Sequence, residues 1–201
     1  VFAPSASQRF KLTVERNEDH ADTNLLTSTG YQSLTRATNT RVAARDDQKR
    51  ERVSFAQEID LQDAFADAID WQVYRQDSKT TQYTIEERTL PAPTLRDIRE
   101  RWFHFEQRTT GLQANFRKAL GETITHDLAW GVDVTRTETQ QRRDGLRHFP
   151  LTGVTTSTMS PDVFPVRDFP ISTTTNAALY LQDEIGLAGG KLRLVPALRV
   201  D

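Results

Sequence analysis

The sequence has no cysteine, one methionine and no excess of charge of either sign: 26 basic residues face 28 acidic ones, for a net charge of -2. Without cysteine there is no disulfide framework, no thiolate zinc site and no cysteine nucleophile. The charge balance gives no electrostatic reason to expect a nucleic acid or an anionic membrane surface as partner. No apolar run approaches the roughly 18 residues of a membrane-crossing helix, which excludes a helical membrane protein, and no charged-then-apolar signal peptide opens the chain. The common catalytic signatures HExxH, GxSxG, the Walker loop and GxGxxG are also missing, so no enzyme is expected.

What is present points to strands. Lysine occurs only at Lys11, Lys49, Lys79, Lys118 and Lys191, so arginine dominates the basic side, and threonine is abundant. Threonine suits a strand with one wet face, and good helix formers are not concentrated in any window. The 201 residues suffice for one domain or a large piece of a bigger one. The chain begins at Val1 and its last segment stops in mid-alternation, so it reads as a piece of a longer protein.

Period-two alternation locates about seven strands. In Gln8 to Arg16, Phe10, Leu12 and Val14 oppose Arg9, Lys11, Thr13 and Glu15. Glu51 to Asp60 sets Val53, Phe55 and Ile59 against Arg52, Ser54 and Glu58, and Ala68 to Gln76 sets Ile69, Trp71 and Val73 against Asp70, Gln72 and Tyr74. Arg99 to Lys118 reads as one strand whose parity changes between Phe103/Phe105 and Leu112/Phe116, with a bulge expected at Gly111. Leu128 to Val134 alternates and runs on through the polar TRTETQQRR. Thr173 to Leu187 and Lys191 to Val200 complete the set, the last interrupted by Pro196, which donates no ladder hydrogen bond.

The connections alternate between long (Asn17 to Lys49, Asp77 to Arg96, Asp144 to Ile171) and short (Leu61 to Asp67, Ala119 to Thr123, Ala188 to Gly190). Long loops on one edge and tight turns on the other mark an up-and-down outer-membrane barrel. Backbone groups in lipid must all be paired, so these strands require closure with others. The expected fold is all-β, an antiparallel up-and-down transmembrane β-barrel segment. Arg9, Lys11, Arg52, Glu58, Asp70, Arg117, Asp127, Asp133, Arg193 and Arg199 should face the lumen, and Trp71, Trp102, Phe103, Phe105, Trp130 and Tyr180 are candidates for interfacial girdles.

The titratable residues offer little chemistry. His104 and Glu106 share a strand face without an evident third metal ligand, and His126 opens a strand after a tight turn. Asp46/Asp47 and Glu86/Glu87 read as solvated pairs in polar loops. His20 and His148 fall in the long connections, where a rigid scaffold places ligand contacts, and are the two candidate ligand-binding residues.

The stretch NAALYLQDEIGLAGGKLRLVPALRVD from Asn176 resembles the strand-turn-strand hairpin of TonB-dependent outer-membrane receptors, and GLQANFRKALGETITHDLAWGVDVTRTET resembles the hairpin before it. Ala197 stands where that pattern has Gly, and Val200 where it has Tyr. Within the family, FxFxQ, GLQANF and HxLxWGVD are most similar to the haemoglobin, haem and transferrin receptor branch. The resemblance implies that residues 1–201 are part of a barrel of about 22 strands, with the plug domain and remaining strands outside them. It implies a bacterial outer-membrane location and energy-coupled uptake of an iron source, haem or a haem protein, without covalent chemistry. It further implies coupling to TonB-ExbB-ExbD through the plug, contact with the lipid bilayer, and no permanently bound cofactor, haem being a transported ligand. Alternatives are a siderophore or vitamin receptor of the same family, a passive porin, and a soluble β-sandwich binding module. The plug, the TonB-contacting segment and the haem-liganding histidine region have no counterpart here, so no site residue is transferred.

Overall fold

A computed structural model describes residues 1–61, 63–91 and 95–201. Its strands are β1 (Phe2–Ser5), β2 (Gln8–Asn24), β3 (Gly30–Gln32), β4 (Ala37–Asp60), β5 (Ala68–Thr89), β6 (Arg96–Leu120) and β7 (Thr125–Phe149). There follow β8 (Val154–Thr156), β9 (Thr158–Met159), β10 (Asp162–Val163), β11 (Ser172–Leu187), β12 (Leu192–Leu194) and β13 (Ala197–Val200). One antiparallel meander runs β1-β2-β4-β5-β6-β7-β11-β12, with β13 also on β11, and β9 and β10 form a separate hairpin. Among the described residues no helix is long and apolar enough to cross a membrane, which leaves crossing by strands open.

Side-chain alternation across this register produces two unlike faces. One row across the strands reads Leu12, Phe55, Val73, Leu112, Val134, Ala177, and the second row below it on the same face reads Ile59, Ile69, Phe116, Trp130, Leu181, Leu198. These side chains lie open: Leu12 is 65% exposed, Leu181 48% and Leu198 65%. Among the described residues no second sheet covers them. The opposite face holds every residue expected in the lumen, with Arg9 bonded to Glu58 at 3.0 Å and Arg193 to Glu184 at 2.6 Å.

The apolar band crosses the hydrogen-bonded rows obliquely. Along one row Val14 and Val53 give way to Arg75, Thr110, Arg136 and Thr175, while two rows below Leu12 the polar Gln8 pairs into a row that is otherwise apolar. Strands tilted against a flat slab of hydrocarbon produce this slant.

The strands also outrun the sequence expectation. β6 and β7 have 25 residues each, about 80 Å at roughly 3.3 Å per residue, whereas about 10 tilted residues span the hydrocarbon. Most of Asn17 to Lys49 is strand, as is Asp77 to Thr89; only the tips are irregular, with a 3-10 turn at Leu26–Ser28. Parts of the links at Leu61 to Asp67 and Asp77 to Arg96 fall on positions 62 and 92–94, outside the described residues. The extensions escaped the alternation signal because both of their faces are polar; unbroken backbone pairing forms them instead. Asp46/Asp47 and Glu86/Glu87 accordingly lie within β4 and β5, and not in loops.

No bulge occurs at Gly111, since Tyr74, Gly111 and Thr135 pair in an unbroken register. The parity change arises because Phe103 and Phe105 sit on the polar face of the extension. Gly111 is required for another reason: a Cβ there would run into the ring of Tyr74. Tyr180 covers Gly131 in the same way, its Cε1 2.6 Å from where a Cβ would stand. Register breaks lie instead in β1, between Phe2 and Ser5, and in β4, between Asn39 and Arg41. Pro196 does split the last strand, into β12 and β13, and its carbonyl still accepts from Asp183 N at 3.1 Å. Of the girdle candidates, Trp71 and Trp130 lie in the apolar band, Trp102 stands far above it, and Phe103, Phe105 and Tyr180 are on the polar face.

Candidate functional site

Both histidine candidates prove to be strand residues. His20 lies on β2 opposite Asp47, on the face that carries the apolar band lower down. Its Nδ1 is 2.6 Å from Asp47 Oδ1 and its Nε2 3.1 Å from Asp22 Oδ2, and Asp22 also accepts from Arg45 at 2.9 Å. The hydrogen bond to Asp47, then that to Asp22, raises the His20 pKa above its ordinary 6.5. With both ring nitrogens engaged by carboxylates, His20 has no lone pair to offer a metal in this arrangement. Placement in a loop failed because the polar stretch around it forms a continuous ladder with β4.

His148, at the upper end of β7, pairs with Ile98 and with Thr155 of β8, and its Nδ1 lies 2.9 Å from Thr155 Oγ1. It shares the outward parity of Val132 and Val134. The two histidines therefore stand on separate strands and form no common site. His104 lies 3.8 Å from Asp144, and Glu106 is bound to Lys79 at 3.1 Å and by Gln140 at 2.6 Å. Among the described residues no group of three potential ligands could hold a metal.

Sequence reasoning missed the densest cluster. At the long-loop end of the polar face, Asp97 of β6 is fully buried and Arg88 of β5 is 4% exposed. Arg88 donates Nε to Asp97 Oδ1 at 3.0 Å and an amino group to Oδ2 at 2.7 Å, a bidentate pair, and Arg147 of β7 donates Nε to Oδ2 at 2.5 Å. Arg99 approaches Asp97 at 3.5 Å, but its buried Nε has no hydrogen-bond partner. Burial opposes ionisation of Asp97, yet the arginines, Arg88 first, outweigh it and hold the carboxyl below its usual value. Burial, then the charge of Arg88, lowers Arg99 to about 10.

Three guanidinium groups thus surround one carboxylate and leave a surplus of positive charge. Beside them Arg101 donates to Glu86 at 2.7 Å, a balanced pair. The legible signal was the spacing Asp97, Arg99, Arg101, which puts three charges on one strand face.

The link between β7 and β11 folds onto the same end. Arg143 and Val166 exchange backbone hydrogen bonds at 2.8 and 2.9 Å, Arg143 pairs with Asp168 at 2.8 Å, and Gln141 Oε1 accepts from Asp168 N at 2.8 Å. Phe164 and Met159 are buried over Gly145, filling the space a side chain there would need. A positively charged wall and a fixed loop therefore line one end of the polar face. Surplus guanidinium groups of this kind attract anions and can orient them.

Comparison with known proteins supplies the context. A family model described as TonB dependent receptor-like, beta-barrel matches residues 2–201. No curated protein matches the chain. Among solved structures, BauA, the ferric preacinetobactin receptor from Acinetobacter baumannii, is similar over 97% of this chain at 13% identity and a TM-score of 0.47. The chain spans 31% of the length of that receptor.

Proposed function

This chain belongs to the TonB dependent receptor-like β-barrel family of the Gram-negative outer membrane, and from that premise we propose that it forms part of the wall of a receptor importing an anionic iron complex. In this reading the polar face lines the lumen and meets a plug domain. The tight turns are periplasmic and the long extensions extracellular. Energy reaches the plug through TonB-ExbB-ExbD, and the segment carries out no covalent chemistry.

The observation that carries the ligand class is the uncompensated charge of Arg88, Arg99 and Arg147 around Asp97. A low-dielectric wall with surplus guanidinium groups favours carboxylate, catecholate or hydroxamate oxygens of an iron chelate, whose negative charge supplies the missing counterion. Arg99, with an unpaired Nε, is the group best placed to gain a partner.

Haem or a haem protein is the second reading. It is favoured by the FHFEQ, GLQANF and HDLAWGVD sequences, and by His148 at the upper end of β7, whose Nε2 makes no hydrogen bond among the described residues.

The full-length receptor titrated with an anionic ferric chelate and with haem, by quenching of intrinsic fluorescence, tests the choice. Arg99→Gln with Arg147→Gln should weaken chelate binding about tenfold or more, since contacts to charged groups are worth roughly 1.5–3 kcal/mol each. Unchanged chelate affinity in that variant would refute the arginine site, and haem binding by the wild type that is lost in His148→Ala, with no chelate binding by either protein, would support the second reading.

A further inference from the structure

On the polar face of the extensions a line of arginines descends from the Asp97 cluster. Arg99 and Arg147 pair across one row, Arg101 lies opposite Gly145 in the next, and Arg143 stands one row lower, opposite Phe103. Arg143 and Arg147 share one face of β7 and are separated by about 13 Å at roughly 3.3 Å per residue. A bulky ligand resting on Arg99 and Arg147 therefore overhangs Arg101 and comes within reach of the long Arg143 side chain.

The counterions of Arg143 differ in kind from that of Arg88. Asp97 belongs to the sheet itself, is fully buried and is gripped at both oxygens by Arg88. Arg143 instead meets Asp168 at 2.8 Å and Asp162 at 3.5 Å, both from the link between β7 and β11, with side chains 47% and 32% exposed. Single contacts between partly exposed charges hold weakly and exchange with water. The link is seated by other means: Phe164 and Met159 are buried over Gly145, and Val166 exchanges two backbone hydrogen bonds with Arg143. Both carboxylates can thus leave Arg143 while the link stays in place. Arg143 Nε and Gln141 Nε2 are buried there without a hydrogen-bond partner. A clamp shaped for stability alone leaves no such donors unpaired.

Given the anionic-chelate reading of this wall, on which the assignment rests, we infer that Arg143 is a further contact for the ligand and that Asp162 and Asp168 mask it until anionic oxygens of the ligand take their place. The exchange strands no charge, because each freed carboxylate already borders water and the guanidinium passes from one anionic partner to another. It also discriminates. A neutral ligand has nothing with which to displace the aspartates, so the mask adds a penalty that only anionic ligands overcome. A contact that is open for part of the time lowers apparent affinity by that fraction, and removing the mask restores it.

The test titrates the full-length receptor with an anionic ferric tris-catecholate, with anionic ferric citrate and with a neutral ferric trihydroxamate, read by quenching of intrinsic fluorescence. Asp162→Asn with Asp168→Asn should tighten binding of an anionic chelate about fourfold, two partly exposed pairs each changing it roughly twofold, and leave the neutral chelate unaffected. Arg143→Gln should weaken anionic-chelate binding about fivefold, and adding it to the two acid substitutions should abolish their gain. Should the paired acid variant not fold, Asp168→Asn alone should tighten binding about twofold. Unchanged or weaker anionic-chelate binding in the acid variants, an equal gain for the neutral chelate, or wild-type affinity in Arg143→Gln would overturn the assignment. Arg99→Gln with Arg147→Gln reads the wall separately: weakened binding there beside any of those results would leave the wall a binding site and remove only the mask. No binding of either anionic chelate by the wild type would overturn both.

Discussion

Replacing Asp97 with Asn should loosen the extracellular ends of β5, β6 and β7 while leaving the membrane-spanning part intact. Asp97 is fully buried and accepts from Arg88 at both carboxylate oxygens and from Arg147 at one. An amide of the same shape retains one acceptor and turns a donor toward one of these guanidinium groups, leaving three arginines with no counterion between them. Breaking a buried pair by removing one partner costs about 3–5 kcal/mol. The lower end applies here, because Arg99 and Arg147 are 16% and 23% exposed and admit water. Amide exchange near Arg88, Arg99 and Arg147 in the full-length receptor should then accelerate by roughly two orders of magnitude, at 1.4 kcal/mol per tenfold. Exchange at Leu112 and Val132 should not change. Wild-type protection at Arg88 in the variant would refute the reasoning, and equal acceleration along the whole of β6 would refute its local character.

Other outcomes follow from the same geometry. Because the folded Asp97 carboxyl lies below its ordinary 3.8, its stabilisation of the strand tips should be complete above that value and fade as pH falls through the depressed one; exchange between pH 6 and pH 3 reads this. His20 has the opposite sign: its raised pKa makes the stabilisation from Asp47 and Asp22 full below about pH 6.5 and lost as pH rises through the folded value, a trend that His20→Gln should abolish in β2. Ala114→Arg, at the middle of the apolar band on β6, should cost about 2–4 kcal/mol in barrel unfolding experiments, against less than 1 kcal/mol for Gln113→Arg on the lumen side. Gly111→Val should destabilise by about 1–3 kcal/mol through the displaced Tyr74 ring, and Tyr74→Ala should recover part of the loss.

Where one face of a strand meets lipid and the other water, the strand could be read from its residues alone. Leu128, Trp130, Val132 and Val134 announce both β7 and its orientation, and the alternation of tight and long connections gave the meander its order. The upper halves of the same strands could not be read in that way. Around Asp46, Lys79 and Gln140 both faces are polar, and the information that makes them strands resides in pairing partners many positions away. Gly111 misled for a related reason: its role depends on Tyr74, 37 positions earlier, whose ring occupies the missing side chain's place. The arginine cluster joins three strands, so neither Asp97 nor Arg147 stood out in its own segment, whereas the histidines drew attention by residue type although the ladder turns them outward.

The central claim is that one face of this sheet meets lipid over a short height and that the strands then continue beyond the membrane. Since the segment contains no cysteine, single cysteines placed along β7 from Leu128 to Gln140 in the full-length receptor, each labelled with a fluorophore and exposed to a lipid-borne quencher, test that claim most directly. The account predicts strong quenching at positions 128, 130, 132 and 134, weak quenching at 129, 131, 133 and 135, and loss of the alternation from Arg136 onward. Uniform quenching along β7, or alternation of the opposite parity, would contradict it.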